Sequence, residues 1–235
     1  MLPIAILAGG LATRLRPLTE NIPKSMIEIC GMPFAHWQTK LLKRAGFTDL
    51  VYCVSHKAEL IQQYLGDGSK YGVKIHYSND GSRQLGTGGA IIKALPYLGQ
   101  NFMTIYGDSY LPINYSDVEK HFFESNKLGQ LTVYSNMAKL DKNNVKFSKG
   151  KVLRYEKGTN ASDLLHIDYG LSCFKKEAFQ GIPTEKPIDL EEIFTNLTAK
   201  NQLMGFEVFD RFYEIGSALG IQDLKNYIER NASEL

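Results

Sequence analysis

Residues 7–26 read LAGGLATRLRPLTENIPKSM, and the rest of the chain is best understood outward from them. They follow the apolar run Ile4-Ala5-Ile6-Leu7, the pattern of a strand buried on both faces of a parallel sheet. Gly9 and Gly10 come at the mouth of that strand, where the lack of a Cβ lets backbone N–H groups approach a phosphate closely. Arg14, Arg16 and Lys24 place cationic donors around the same loop, and Pro23 stiffens the backbone just before Lys24. By composition this is a phosphate-handling loop. It lies at the carboxyl end of the first strand, where open α/β sheets bind ligands.

Composition bounds the alternatives. The 235 residues suit one α/β domain with a full core, and 43% hydrophobic with 22% charged residues is ordinary for a globular protein. A net charge of +2 is too small to argue for a nucleic-acid partner. No apolar run reaches membrane-spanning length, and Met1-Leu2-Pro3 leads directly into the first strand, so the expected location is cytoplasmic, with no membrane partner. Cys30, Cys53 and Cys173 have no paired spacing and read as free thiols, two of them inside apolar runs. The five histidines form no zinc motif, and there is no Gly-x-Ser-x-Gly elbow for a hydrolase.

Along the chain, strands and helices alternate. A helix is expected over 33–45, a strand over 50–54, a helix over 57–65 closed by Gly66, and a strand over 73–77. Leu85-Gly86-Thr87-Gly88-Gly89-Ala90 then opens a helix expected to reach about Leu98 despite Pro96; its start should present unpaired N–H groups. Phe102 to Tyr106 is a buried strand ending at Gly107-Asp108, which points an acidic residue at the same edge as the first loop. A helix over 116–126 carries Ser116 as N-cap and Glu119 as its capping-box partner. From Gly129 onward short strands dominate, over 131–134, 145–147, 151–155 and 166–171. An amphipathic helix over 189–200, a strand over 203–209 and a last helix complete the chain.

Neither Gly-x4-Gly-Lys-Ser/Thr nor Gly-x-Gly-x-x-Gly occurs in the opening loop. The stretch instead resembles the signature of the sugar-1-phosphate nucleotidylyltransferases: a small residue, Gly-Gly-x-Gly-Thr-Arg-Leu-x-Pro-Leu-Thr, a spacer, then Pro-Lys. Ala12 departs from it where the family has glycine. The likeness continues in Leu85–Ala90, read most closely with the branch of heptose- and mannose-type 1-phosphate guanylyltransferases; Gln84 stands where proline is frequent. It continues again at Asp108, at Glu156-Lys157, at Gly170 and at Glu214, the last replacing a family aspartate. Asp168 and Tyr169 depart from the family's Asn-Ala-Gly strand and leave the sugar open.

The resemblance implies an α/β fold, Rossmann-like, with a mostly parallel mixed sheet flanked by helices, a smaller β-rich sugar-binding subregion and no C-terminal β-helix. It reads as one domain over 1–235, a nucleotide-binding half over about 1–128 and a sugar-phosphate half over about 129–235. It implies Arg14 and Lys24 as catalytic, and Leu7, Ala8, Gly9, Gly10, Leu11, Gly86, Thr87, Gly88 and Asp108 as nucleotide-binding. Glu156, Lys157 and Gly170 would meet the sugar phosphate, and Asp108 with Glu214 would hold Mg²⁺. The expected reaction joins an NTP, GTP favoured, to a sugar 1-phosphate of heptose or mannose type, in a monomer or homodimer. Two other readings stay open: uridylyl, thymidylyl or cytidylyl transfer to another phosphate, and a non-catalytic nucleotide-sugar-binding regulator. A metal-dependent glycosyltransferase is disfavoured, because Asp108-Ser109-Tyr110 is not Asp-x-Asp.

Overall fold

The alternation of side chains in β1 (Ile4–Leu7) divides the core into two sides. Ile4 and Ile6 enter one apolar cluster and Ala5 enters another, all fully buried. The computed structural model describes residues 1–10, 15, 17–81, 83–136 and 142–232. Residues 11–14, and with them Leu11, Ala12 and Arg14, lie outside the described residues, as does Arg16.

After β1 come a small hairpin, β2 (Glu28–Ile29) and β3 (Met32–Pro33), then α1 (Phe34–Arg44), β4 (Asp49–Val54), α2 (Ala58–Leu65) and β5 (Lys74–Asn79). The chain continues through α3 (Gly86–Ala94), β6 (Asn101–Tyr106), β7 (Ser109–Tyr110) and α4 (Tyr115–Ser125). The second half holds β8 (Gly129–Ser135), β9 (Val145–Ser148), β10 (Lys151–Tyr155), β11 (His166–Lys175), α5 (Leu190–Ala199), β12 (Leu203–Val208), β13 (Tyr213–Glu214) and α6 (Ala218–Arg230).

Nine strands form one mixed sheet in the order β5-β4-β1-β6-β11-β8-β12-β10-β9. Its first four strands are parallel, as their helical crossovers require. β11 then enters antiparallel between β6 and β8, and β12 returns parallel to β8. Parallel pairing therefore marks the first half of the chain, whereas short loops make much of the second half antiparallel. Helices α1, α2 and α4 cover the face of Ile4 and Ile6, and α3 and α5 cover the face of Ala5. A third cluster joins the β2–β3 hairpin to α1 and α6.

Two local readings are corrected. α3 stops at Ala94: Leu95 keeps helical angles (φ −52°, ψ −30°), but its N–H already turns to the Ile92 carbonyl and Pro96 brings no N–H to extend the ladder. α4 is capped by Asn114, whose side chain accepts the Ser116 N–H; Glu119 accepts instead from the Leu2 N–H at 2.6 Å, tying the chain's start to α4. The Ser148-Lys149-Gly150 turn is as expected, with Lys149 and Gly150 both at positive φ (47° and 77°). Among the described residues no helix is long and apolar enough to cross a membrane.

Candidate active site

β4, the next parallel strand after β1, lies on one side of it, and β6 lies on the other. The sheet thus reverses its winding at β1, and such a switch point opens a crevice at the strands' carboxyl ends. A cavity of about 490 Å³ occupies that place. Leu7, Ala8, Gly9 and Gly10 form its rim at the end of β1, and Gly107 and Asp108 form it at the end of β6. The two loops cross closely: a Cβ on Gly107 would stand 2.7 Å from the Ala8 Cα and from the Leu7 carbonyl oxygen. The Gly107 N–H donates to that carbonyl at 3.0 Å. Among the described residues nothing lies within 4 Å of the position a Cβ on Gly10 would take.

Lys24 reaches this rim from a single 3₁₀ turn over Lys24–Met26, entered through Pro23 with φ −69°. Its ammonium group pairs with Asp108 Oδ2, both side chains partly exposed to the cavity. The sequence places these two residues 84 positions apart, and the fold brings them into contact. Arg14, the other expected catalytic residue, belongs to the undescribed part of the same loop.

Another part of the wall is built by Asp80, just after β5, and by the start of α3. Gly86 and Thr87 line the cavity, but Gly88 is buried against the chain before α5. The expectation of open N–H groups at the start of α3 is corrected at two positions: Gly88 and Gly89 both donate to the Ile188 carbonyl, at 2.8 and 3.1 Å. Glycine is required here for that crossing, since a Cβ on Gly86 would lie 2.4 Å from the Ile188 oxygen and its φ is +76°. Asp189, the N-cap of α5, accepts from Thr87 Oγ1 at 3.0 Å and locks the two helix starts together. Asp80, Asp189 and Cys53 also line the cavity, and none was expected there from the sequence. The Asp189-x-x-Glu192 capping box was legible as a helix start, although the place of that start in the cavity wall was not. Burial pushes the Cys53 thiol up to about 12, so it is an inert part of the wall.

Two of the residues expected to meet the sugar phosphate, Lys157 and Gly170, lie beside Tyr106, which lines the cavity. Lys157 Nζ lies 5.8 Å from the ring centres of both Tyr106 and Tyr155. Gly170, at φ +101°, sits in a bulge of β11, where a Cβ would meet Ser109 Oγ at 3.2 Å and Tyr106 at 3.3 Å. Glu156 turns away: its carboxylate lies 3.5 Å from Arg154 and is exposed. Asp168, at the position where the sequence leaves the family pattern, accepts from the hydroxyls of Tyr106 and Tyr155 at 3.1 and 3.0 Å and from the Gly170 N–H at 2.9 Å. Its enclosure raises its pKa, and Lys157 opposes that rise.

Pairing of β13 with β7 sets Glu214 opposite Ser109, one residue from Asp108. The Glu214 carboxylate accepts from the Gly216 N–H and from Ser217 Oγ (2.8 Å), and it does not line the cavity. Two neighbouring carboxylates suit Mg²⁺, which takes one or two of them together with phosphate oxygens and water. Asp108 fits that role directly; Glu214 fits once its contacts within the 214–217 turn are exchanged. Among the described residues, the cavity is lined by three carboxylates (Asp80, Asp108 and Asp189) against one ammonium group (Lys24). That wall alone repels a polyphosphate, so the chemistry of the donor set calls for added positive charge.

Comparison with known proteins shows the family and the fold. A family model described as Nucleotidyl transferase matches residues 4–213. The N-acetylmuramate alpha-1-phosphate uridylyltransferase of Neisseria meningitidis is 42% identical over 112 residues, 47% of this chain and 48% of that protein. The D-glycero-alpha-D-manno-heptose 1-phosphate guanylyltransferase of Campylobacter jejuni is 37% identical over 114 residues, 48% of this chain and 51% of that protein. The chain therefore spans about half the length of these curated relatives. The crystal structure of HddC from Yersinia pseudotuberculosis complexed with GMP-PN shares the fold, with a TM-score of 0.81 at 24% identity, covering 97% of this chain and 100% of that one. With the glycine turn, Lys24, Asp108 and Gly170 all inside the matched span, the chain belongs to the nucleotidyl transferase family.

Proposed function

We propose that this protein transfers a nucleoside monophosphate from an NTP to a sugar 1-phosphate, releasing pyrophosphate, in the cytoplasm and with Mg²⁺. The observation that carries this reading is the convergence of Lys24 and Asp108 beside the glycine turn at the sheet's switch point. A sugar-phosphate oxygen attacks the α-phosphorus, the bond from that phosphorus to the bridging oxygen breaks, and pyrophosphate leaves with the electron pair. The attacking phosphate is already ionised at neutral pH, so no protein nucleophile is needed. The barrier is the meeting of two polyanions, which is lowered by positioning and charge stabilisation.

Lys24 then serves the α-phosphate and the incoming phosphate, and Arg14 the departing pyrophosphate. Gly9, Gly10 and Leu11 offer backbone N–H groups to the triphosphate. Lys157, beside the cavity wall at Tyr106, anchors the sugar's phosphate, and Gly170 lets the sugar approach the backbone. Glu156 would have to leave Arg154 to meet sugar hydroxyls. Asp108 and Glu214 would hold Mg²⁺, which supplies charge neutralisation between the phosphates. GTP with a heptose- or mannose-type 1-phosphate is the favoured pair, supported by the likeness to the guanylyltransferase branch in Leu85–Ala90.

The test is pyrophosphate release with Mg²⁺ across four NTPs crossed with hexose and heptose 1-phosphates. Release with one pair supports the reaction and names both substrates. Nucleotide binding with silence throughout the grid favours a regulatory binding protein.

A further inference from the structure

We infer that Gln38 is the positioning residue for Asp108: its side-chain amide clamps both ends of the turn that carries this carboxylate, and so fixes where Asp108 stands at the cavity rim. This rests on the reading of Asp108 as a working residue of a nucleotide site.

Gln38 occupies a place on α1 where an apolar side chain would be expected. Phe34, Ala35, Leu41 and Leu42 give that helix its buried face, and Gln38 lies among them, fully buried. It does not line the cavity. Its Nε2 donates to the Tyr106 carbonyl at 2.9 Å and to the Ser109 carbonyl at 2.8 Å, which uses both amide hydrogens. β6 ends at Tyr106 and β7 opens at Ser109, so one planar amide meets the chain on each side of Gly107-Asp108. The same turn is tied to the end of β1 by the Gly107 N–H, which donates to the Leu7 carbonyl, and to the segment after Glu214 by the Asp108 carbonyl, which accepts from the Ile215 N–H, each at 3.0 Å. Gln38 adds the tie to α1. The Asp108 carboxylate itself meets Lys24, which the proposed reaction turns toward substrate phosphates, so its place depends on its backbone.

Filling space does not account for an amide at this position. Gln38 Oε1 is buried with no hydrogen-bond partner among the described residues. A buried acceptor without a donor costs stability, and an apolar side chain of like shape would fill the same volume without that cost. What the apolar side chain lacks is the pair of donors to the turn. A glutamate of the same shape would, when ionised, turn acceptors toward both carbonyls.

The experiment compares the wild type with Gln38→Met, which keeps the side chain's length and removes its donors. Thr39→Val is the control for losing a buried polar group on the same helix, since Thr39 Oγ1 donates to the Ala35 carbonyl and meets the Tyr52 hydroxyl, away from the turn. Two quantities are read: amide hydrogen exchange over 106–110 without nucleotide or metal, and the dependence of turnover on Mg²⁺ concentration. Gln38→Met should speed that exchange roughly 5- to 10-fold, the scale of one hydrogen bond lost. It should also lower kcat, and raise the Mg²⁺ needed for half-maximal rate, each about 10-fold, with the KM for sugar 1-phosphate unchanged. Thr39→Val should lower the thermal midpoint and leave both readings at wild type. Gln38→Asn, which withdraws the amide by one carbon, should fall between wild type and Gln38→Met, and carries the test if Gln38→Met does not fold. A folded Gln38 variant with wild-type exchange, or with wild-type kcat and Mg²⁺ dependence, would overturn the clamp, as would a Thr39→Val that shifts both readings equally. Faster exchange in Gln38→Met beside a wild type that is silent across the NTP and sugar-phosphate grid would uphold the clamp and overturn the proposed reaction.

Discussion

Lys24 and Asp108 hold opposite charges in contact at the cavity rim, and each is worth more there than either would be alone in water. Removing Lys24 leaves Asp108 unpaired and takes away a preorganised donor. Lys24→Met is expected to lower kcat about 100-fold or more, the scale for one lost charge-stabilising group. Arg14→Ala should fall in the same range; wild-type turnover in steady-state assays of either variant would remove that residue from the catalytic set. Asp168 makes a different prediction. Its pKa is raised in the folded chain, chiefly by burial, so the native state keeps this proton where the unfolded chain has released it. Stability therefore falls as pH rises through the interval that begins near the ordinary carboxylate value of 3.8 and runs up to the folded value. Urea unfolding of wild type and Asp168→Asn across that interval should show the wild type losing ground to the variant as pH rises. A difference that is flat with pH would mean Asp168 does not hold its proton.

At the scale of elements, the decisive contacts are helix starts. Asp189 closes a capping box with Glu192 and also accepts from Thr87, so one side chain sets both the N-terminus of α5 and the wall made by α3. Asp189→Ala is expected to cost about 1 kcal/mol of stability, the usual value of an N-cap, and also to raise the KM for nucleotide because Thr87 loses its anchor. Asn114→Ala at the start of α4 should cost a similar ~1 kcal/mol with KM unchanged, since α4 covers the opposite face of the sheet. Denaturant midpoints with nucleotide titrations separate the two, and equal KM effects would sever the link between α5 and the cavity.

Across the whole molecule, a single nine-stranded sheet runs through both halves, with β6 paired to β11 at the seam. A continuous hydrogen-bonded seam couples the halves, so we expect one cooperative unfolding transition. Trp37, the single tryptophan, donates to the Ile29 carbonyl at 2.7 Å and reports on the small cluster of the hairpin, α1 and α6. Far-ultraviolet circular dichroism reports on the entire sheet. The two signals should change together in urea, and separate midpoints would show that the hairpin cluster or one half melts alone.

The opening motif, the order of strands and helices, and the reason for glycines at 9 and 10 are local matters, and the sequence determined them. Hydrophobic periodicity and the absence of a Cβ act over a few residues and need no distant partner. Lys24, Asp108 and Gly170 were legible through the family's spacing as well. What the tertiary structure decided is everything that depends on which strands become neighbours. Gly88 reads as a helix start, but only the return of the chain at Ile188 shows its N–H already taken. Glu156 and Lys157 are adjacent in sequence yet diverge, one toward Arg154 and the other toward Tyr106. Asp80 is an ordinary turn residue until β5 is laid two strands from β1, which brings it into the wall of the cavity. Sheet order sets these distances, and long-range packing, invisible in any short window of residues, sets the sheet order.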